Sequence, residues 1–170
     1  SAPGFYVESD IQSFFKQNAL SQANMITPNQ FEASYLSGVE IDSIDSLRHA
    51  LKVFHERGIE RVAITSIKLN GNKGNDISMA MSSAHGQPYI VTTPEVDISP
   101  MPNGAGDTCT AALLGRILNG DSDEVALERT AASIYEVFQY TKRNGRRELD
   151  LIHKDNIFLN PTQKFNVQVL

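Results

Sequence analysis

Apolar residues recur along this chain with two different spacings, one typical of helices and one of strands. The clearest helical pattern places four apolar residues at i, i+3, i+4 and i+7: Leu47, Ala50, Leu51 and Phe54. This spacing predicts an amphipathic helix with one buried face. Ser43 or Asp45 is its candidate N-cap, and Gly58 is its C-terminal stop.

Strand-like patterns follow this helix. Residues 61–67 form a short β-branched run, which predicts a buried parallel strand. Residues 77–81 and 89–93 flank a Gly-Gln-Pro turn at 86–88, and this arrangement predicts a hairpin. Alternating apolar residues at 165–169 indicate a half-buried or edge strand at the C-terminus.

Two further helices are predicted after the hairpin, and one before the first strand pattern. Residues 107–118 are apolar nearly all round, which predicts a buried helix. A longer helix ends near Gly145, and its apolar face comprises Leu127, Ala131, Ile134 and Phe138. Near the N-terminus, Ile11, Phe14 and Phe15 indicate a short amphipathic helix before a brief apolar step at 25–26. Alternation of helices and strands around a buried central helix predicts an α/β layered fold.

Composition narrows the class of protein. The chain has 170 residues, about the length of one domain, and a formal net charge of -5. This is the wrong sign for a general binder of nucleic acid or of an anionic membrane, so neither partner is expected. The longest apolar stretch, residues 111–118, is far shorter than the ~20 residues that span a bilayer. A single cysteine, Cys109, cannot form an internal disulfide and is expected to be buried, which favours a reducing, cytoplasmic location.

The glycine-rich segment 103–107 is the first candidate for chemistry. It precedes the apolar helix, where backbone N–H groups lack partners and the helix dipole is positive. Two glycines there would let a phosphoryl group approach the backbone, and Asp107 could act as general base for the attacking hydroxyl. The structural alternative is a glycine-rich turn in which Asp107 is the N-cap. Neither a dinucleotide-binding nor a P-loop motif is present, because the required third glycine and the Gly-Lys-Ser/Thr are missing.

A second cluster begins another helix at residues 27–32. Asn29 and Glu32 lie three residues apart on one helical face and could hold Mg²⁺ through water. The same pair would form a capping box if its role were structural. Thr65 and Ser66 end the predicted strand, where α/β sheets bind ligands but where ordinary strand-end caps are equally common.

These motifs occur together in one known family. The chain contains, in order, Ile26-Thr27-Pro28-Asn29-Gln30-Phe31-Glu32-Ala33, Leu36-Ser37-Gly38, Ile64-Thr65-Ser66 and Gly104-Ala105-Gly106-Asp107. Their order and approximate spacing resemble those of pyridoxal kinases of the ribokinase-like superfamily. The C-terminal segment 155–170 also resembles that family, so the similarity covers nearly the whole chain. The octapeptide is the specific part, since Gly-Ala-Gly-Asp is shared with sugar kinases.

The resemblance implies a function and a fold. It implies ATP- and Mg²⁺-dependent phosphorylation of the 5′-hydroxymethyl group of pyridoxal, pyridoxine or pyridoxamine, and a homodimer for the full-length enzyme. The implied fold is α/β and ribokinase-like, with a mixed, mostly parallel sheet flanked by helices. Two alternatives stay open: a ribokinase-like kinase for another hydroxymethyl or sugar substrate, and a catalytically silent ATP-binding or interaction module.

The resemblance also assigns site residues. Asp107 matches the catalytic base, Gly104, Ala105 and Gly106 match the anion hole, and Glu32 matches the metal site. The positions that match nucleotide-site residues are Thr27, Asn29, Thr65, Ser66, Val96, Asp97 and Asn103. Tyr6 matches a substrate-proximal aromatic residue. Ala105 departs from the family, because many pyridoxal kinases carry threonine there.

Compared with this family, the chain begins after the N-terminal half. Residues 1–170 are therefore expected to be the C-terminal, nucleotide-binding part of a single ribokinase-like kinase domain whose N-terminal half is absent. We expect such a part to be inactive on its own, because phosphoryl transfer depends on positioning. We also expect the strand around residues 62–64 and part of the helix at 107–118 to lack their covering layer, with self-association or partial disorder near that edge.

Overall fold

The described strands form one mixed sheet. The computed structural model describes residues 9–71, 74–152 and 157–170. Its strands lie side by side in chain order: β1 (Met25–Ile26), β2 (Arg61–Ile67), β3 (Asp76–Ser83), β4 (Tyr89–Pro94) and β5 (Val167–Val169). The hairpin, the strand at 61–67 and the C-terminal edge strand are thereby confirmed.

The direction of pairing corrects one expectation. β1 and β2 pair in parallel, whereas the β2–β3, β3–β4 and β4–β5 pairs are antiparallel. The expectation of a mixed sheet is confirmed, but that of a mostly parallel sheet is wrong for the described strands. Short connections join β2 to β3 and β3 to β4, and these allow only antiparallel neighbours, whereas the helical crossover between β1 and β2 gives a parallel pair.

Helices cover both faces of the sheet. The described α-helices are α1 (Ser9–Phe14), α2 (Gln30–Ser37), α3 (Ile44–Glu56), α4 (Ala105–Leu118) and α5 (Asp123–Arg143), of which α2–α5 pack on the sheet. A π-helical segment, Phe15–Ala19, and a 3₁₀ turn, Leu20–Gln22, follow α1. One hydrophobic core lies between the sheet and α2–α3, and the other lies between the sheet and α4–α5. The result is an α/β/α arrangement of layers.

The interior strand β2 is covered on both faces at residues 62–64. Val62 and Ile64 point into the core beside α2–α3, and Ala63 points into the core beside α4–α5, as the two-residue period of a strand requires. All three residues are 0% exposed. The expectation that this strand lacks a covering layer is therefore wrong, because β1 and β3 flank it and helices pack on both of its faces.

The helix boundaries follow local signals. Ser43 is the N-cap of α3 and accepts a hydrogen bond from the Ser46 N–H, and Gly58 follows the helix with φ +89°. Helix α4 begins at Ala105, two residues before the predicted start. It is also not buried all round: Leu113 is 0% exposed, but Leu118 is 77% exposed.

The N-terminal helix exists, but its apolar side chains are not buried. Ile11, Phe14 and Phe15 are each about half exposed, at 44%, 57% and 51%. None of the described helices combines the length and the apolar character that a membrane crossing needs.

Candidate active site

The entrance of α4 leaves several backbone donors without acceptors inside the helix. Gly104 is the N-cap and adopts φ +83°, a left-handed conformation that favours glycine. The first intrahelical bond runs from the Thr108 N–H to the Gly104 carbonyl, at 2.9 Å. The N–H groups of residues 105–107 come before Thr108 in the chain and therefore lack acceptors within the helix. Apart from adjacent residues and the helix's own backbone, no atom of the described residues lies within 4 Å of a β-carbon built at Gly104 or Gly106, so the space beside these glycines is open.

Asp107 lies in the first turn of α4 and is exposed. The alternative that it caps the helix is wrong, because Gly104 occupies the N-cap and no described side chain makes a cap hydrogen bond there. The Asp107 carboxylate therefore does not cap α4. This arrangement can bind an anion through N–H groups and place a carboxylate beside it.

The capping box at the start of α2 is present. Asn29 Oδ1 accepts from the Glu32 N–H, and Glu32 Oε2 accepts from the Asn29 N–H, both at 2.9 Å. In the described residues, no group of three His, Cys, Asp or Glu side chains is arranged to hold a metal. A Mg²⁺ ion held by Glu32 would therefore need water or phosphate oxygens as its remaining ligands, which is the coordination that Mg²⁺ prefers.

Two contacts bring the β1–α2 loop against the rest of the site. Thr27 Oγ1 lies 2.8 Å from Thr110 Oγ1, and Thr110 donates to the Gly106 carbonyl at 3.0 Å. Because each hydroxyl has one proton, Thr27 must be the donor of the first bond. Asn29 forms a parallel bridge with Thr65. Thr110 was not identified from the sequence, where its signal is a hydroxyl three residues after Asp107.

The end of β2 is irregular at the predicted ligand-contacting pair. Ser66 has φ +55°, and the register with β3 shifts between Ile64 and Ile67. Gln30 braces this segment, because its side chain bonds both the N–H and the carbonyl of Lys68. A left-handed non-glycine residue costs free energy, and such residues cluster at functional sites. Neither the conformation of Ser66 nor the role of Gln30 has a local sequence signal.

A cavity of about 220 Å³ lies between the sheet and helices α4 and α5. Five of the predicted site residues line it: Thr65, Ser66, Val96, Ala105 and Gly106. Most of its remaining wall is apolar and includes Ile77, Met79, Val91, Ile134 and Phe138. An apolar cavity with polar groups on one side suits a flat aromatic ring that carries an anionic substituent.

The other predicted residues lie outside the cavity lining. Asp97 lines an adjoining groove, and Asp107 lines a separate groove along α4. The residues that line none of these three spaces are Thr27, Asn29, Glu32, Asn103 and Gly104. Tyr6 lies outside the described residues.

Cys109 forms part of the cavity wall. Its thiol donates to Met79 Sδ at 3.4 Å, and burial raises the pKa of the thiol from 9.0 to about 12. The expectation that this residue is a buried, apolar-like side chain is confirmed. A neutral thiol is a weak nucleophile, which favours a packing role for Cys109 in the cavity wall.

The layered fold is that of a ribokinase-like α/β protein. A sequence profile described as phosphomethylpyrimidine kinase matches residues 5–150. The chain therefore belongs to the phosphomethylpyrimidine kinase family.

Individual relatives agree with this assignment. The pyridoxal kinase PdxY of Rubrobacter xylanophilus is 35% identical over 167 residues, which are 97% of this chain and 56% of that protein. The crystal structure of pyridoxal kinase from Entamoeba histolytica superposes with a TM-score of 0.79 at 28% identity, covering 98% of this chain and 58% of that one. Pyridoxal kinase from Leishmania donovani, in complex with ADP and pyridoxamine, has a TM-score of 0.86 at 23% identity and supports the fold. It covers 100% of this chain and 59% of that one. The chain thus spans a little more than half the length of these relatives.

Proposed function

We propose that this chain is the nucleotide-binding part of an ATP-dependent kinase that phosphorylates the 5′-hydroxymethyl group of pyridoxal or a related vitamer. One observation carries the proposal: the open entrance of α4 and the irregular end of β2 meet at a single cavity. The β1–α2 loop reaches both elements through the Thr27–Thr110 and Asn29–Thr65 contacts. The relative that is 35% identical is named a pyridoxal kinase, which supports the substrate class.

The backbone at α4 would bind the transferring phosphoryl group. The N–H groups of residues 105–107 lack intrahelical acceptors, and the space beside Gly104 and Gly106 is open, so both features fit a phosphate. These donors would stabilise negative charge that develops during transfer. Ala105 has no side-chain hydroxyl, but it contributes its N–H to the same group.

Asp107 would accept the proton of the attacking hydroxymethyl group. Two features support this role: Asp107 belongs to the same first turn of α4 as these N–H donors, and it is exposed. Glu32 would hold the metal, and Asn29 fixes the orientation of Glu32 through the capping box. Mg²⁺, when bound, supplies positive charge that offsets the charge of the phosphates.

Further parts of the proposal concern the whole enzyme. We propose that residues 1–170 bind nucleotide but do not phosphorylate the substrate on their own. The chain spans only 56% of the pyridoxal kinase from Rubrobacter xylanophilus. We also propose a cytoplasmic homodimer with no nucleic-acid or membrane partner for the longer enzyme. The net charge of -5 supports the exclusion of nucleic acid and of anionic membranes as partners.

A second candidate function is phosphorylation of another hydroxymethyl-bearing substrate. The match to a profile described as phosphomethylpyrimidine kinase favours it specifically. A coupled assay with pyridoxal, pyridoxine, pyridoxamine and a hydroxymethylpyrimidine separates the two. The assay should use both the 170-residue chain and the product of the uninterrupted coding frame that contains it.

We expect turnover with a B6 vitamer by the longer product and none by the 170-residue chain. Preference for the pyrimidine would favour the second candidate. Nucleotide binding by the longer product without turnover of any substrate would favour a silent module. Efficient phosphorylation of pyridoxal by the 170-residue chain would contradict the proposal that it is incomplete.

A further inference from the structure

Among the described residues that line the cavity, Glu95 has the one charged side chain. It follows β4 directly. Glu95, Val96 and Tyr135 also line the adjoining groove, so they lie where the cavity meets that groove. An acidic side chain at the boundary of a mostly apolar cavity will affect which ligands enter and how they are oriented.

Glu95 is anchored through both its side chain and its backbone. Lys68 Nζ lies 2.8 Å from Oε1 and 2.7 Å from Oε2, and the Glu95 N–H donates to the Asn75 carbonyl at 2.6 Å. The side chain is 26% exposed. An ionised carboxylate offers about four acceptor positions, and Lys68 uses one on each oxygen. Acceptor capacity therefore remains on both oxygens.

This remaining capacity defines the chemistry of the ligand group. A carboxylate accepts hydrogen bonds from hydroxyl groups and repels a phosphate, whereas the N–H groups at the entrance of α4 attract one. Lys68 offsets the negative charge locally, so an anionic ligand can still occupy the cavity. A ligand with a phosphate at one end and neighbouring hydroxyls nearer its aromatic ring matches this distribution. Acidic side chains bind ribose hydroxyls in this way in other nucleotide sites.

We propose that Glu95 is a specificity-determining residue that accepts hydrogen bonds from the ribose 2′- and 3′-hydroxyls of a bound nucleotide. It selects ribonucleotides over their deoxy analogues. This inference rests on the proposed function, because it requires a nucleotide in the cavity.

Calorimetric titration of the purified chain with ATP, 2′-deoxy-ATP and 3′-deoxy-ATP, each with Mg²⁺, tests the inference. We expect each analogue to bind about tenfold more weakly than ATP, since each loses a hydrogen bond to a charged group. In Glu95→Met, ATP loses both hydrogen bonds and each analogue loses its remaining one, so all three nucleotides should bind more weakly and with similar affinity. Lys68→Met is the matched control, because it breaks the same ion pair but keeps the carboxylate, and it should retain the preference for ATP.

The outcomes separate this inference from the proposed function. Equal binding of the three nucleotides by the unmodified chain would overturn the role of Glu95 and leave the nucleotide site standing. Selectivity that persists in Glu95→Met would also overturn it. If that variant does not fold, Glu95→Gln serves instead and should lose part of the preference, since an amide offers one acceptor oxygen. Failure to bind any of the three would refute the nucleotide site and the inference with it.

Discussion

Replacing Gln30 with methionine removes three hydrogen bonds from the junction between the β1–α2 loop and the end of β2. Gln30 Nε2 donates to the carbonyls of Ile41, at 2.6 Å, and Lys68, at 3.1 Å, and Gln30 Oε1 accepts from the Lys68 N–H at 2.8 Å. Each bond contributes about 0.5–1.5 kcal/mol net. The site is only partly buried, so water would satisfy some of the freed groups. We therefore expect Gln30→Met to lower the free energy of unfolding by about 2–3 kcal/mol.

Urea denaturation measures this change, and an unaltered m-value would show that the unfolded state is unaffected. Gln139→Met is the matched control. Gln139 makes one side-chain bond, to Tyr135 Oη at 2.8 Å, within a single helix. We expect it to cost less than about 1 kcal/mol. If Gln30→Met costs no more than Gln139→Met, the argument that Gln30 braces the end of β2 is refuted.

Three further predictions concern the site. Asp107→Asn in the longer enzyme should lower turnover by about 10²- to 10⁴-fold and change ATP affinity by no more than a few fold; near-normal turnover would contradict its role as base. Glu32→Gln should keep the stability of α2, because a capping box accepts glutamine at this position, but should raise the Mg²⁺ concentration needed for activity. An unchanged Mg²⁺ requirement would leave Glu32 a purely structural residue. For Cys109, the unfolded thiol ionises near pH 9.0, whereas the folded pKa is about 12. The folded state then binds more protons between these values, so stability should fall as pH rises through that window, by up to about 1.4 kcal/mol per pH unit. Cys109→Ala should lack this component in a pH series of urea midpoints; parallel curves for both proteins would contradict it.

The local elements were predictable from the sequence because their signals are local. The predicted strand at 61–67 has the bounds of β2, and the hairpin turn at 86–88 lies between β3 and β4 as expected. The four-residue apolar face in α3 is fully or almost fully buried. In each case the spacing of apolar residues reports which side of the element faces the core.

Features that depend on distant parts of the chain were not predictable in the same way. The residues of α4 are apolar nearly all round, yet Leu114 and Leu118 are 41% and 77% exposed while Leu113 is buried. The apolar composition of α4 indicates that the helix can be buried. Which of its faces is buried is decided by how α5 and the sheet pack against it. The left-handed Ser66 depends likewise on a bulge against β3 and on Gln30, which lies 36 residues earlier.

The structural and chemical interpretations of Asn29 and Glu32 are compatible in this geometry. The capping box uses Glu32 Oε2 and Asn29 Oδ1, and it fixes the rotamers of both side chains at the surface of α2. A carboxylate that accepts one backbone bond keeps acceptor capacity for a hydrated cation. The N–H that Glu32 accepts belongs to Asn29, which is bridged to Thr65 at the cavity. The cap thus holds the candidate metal ligand at a fixed position relative to the candidate nucleotide site, and such positioning is what phosphoryl transfer requires.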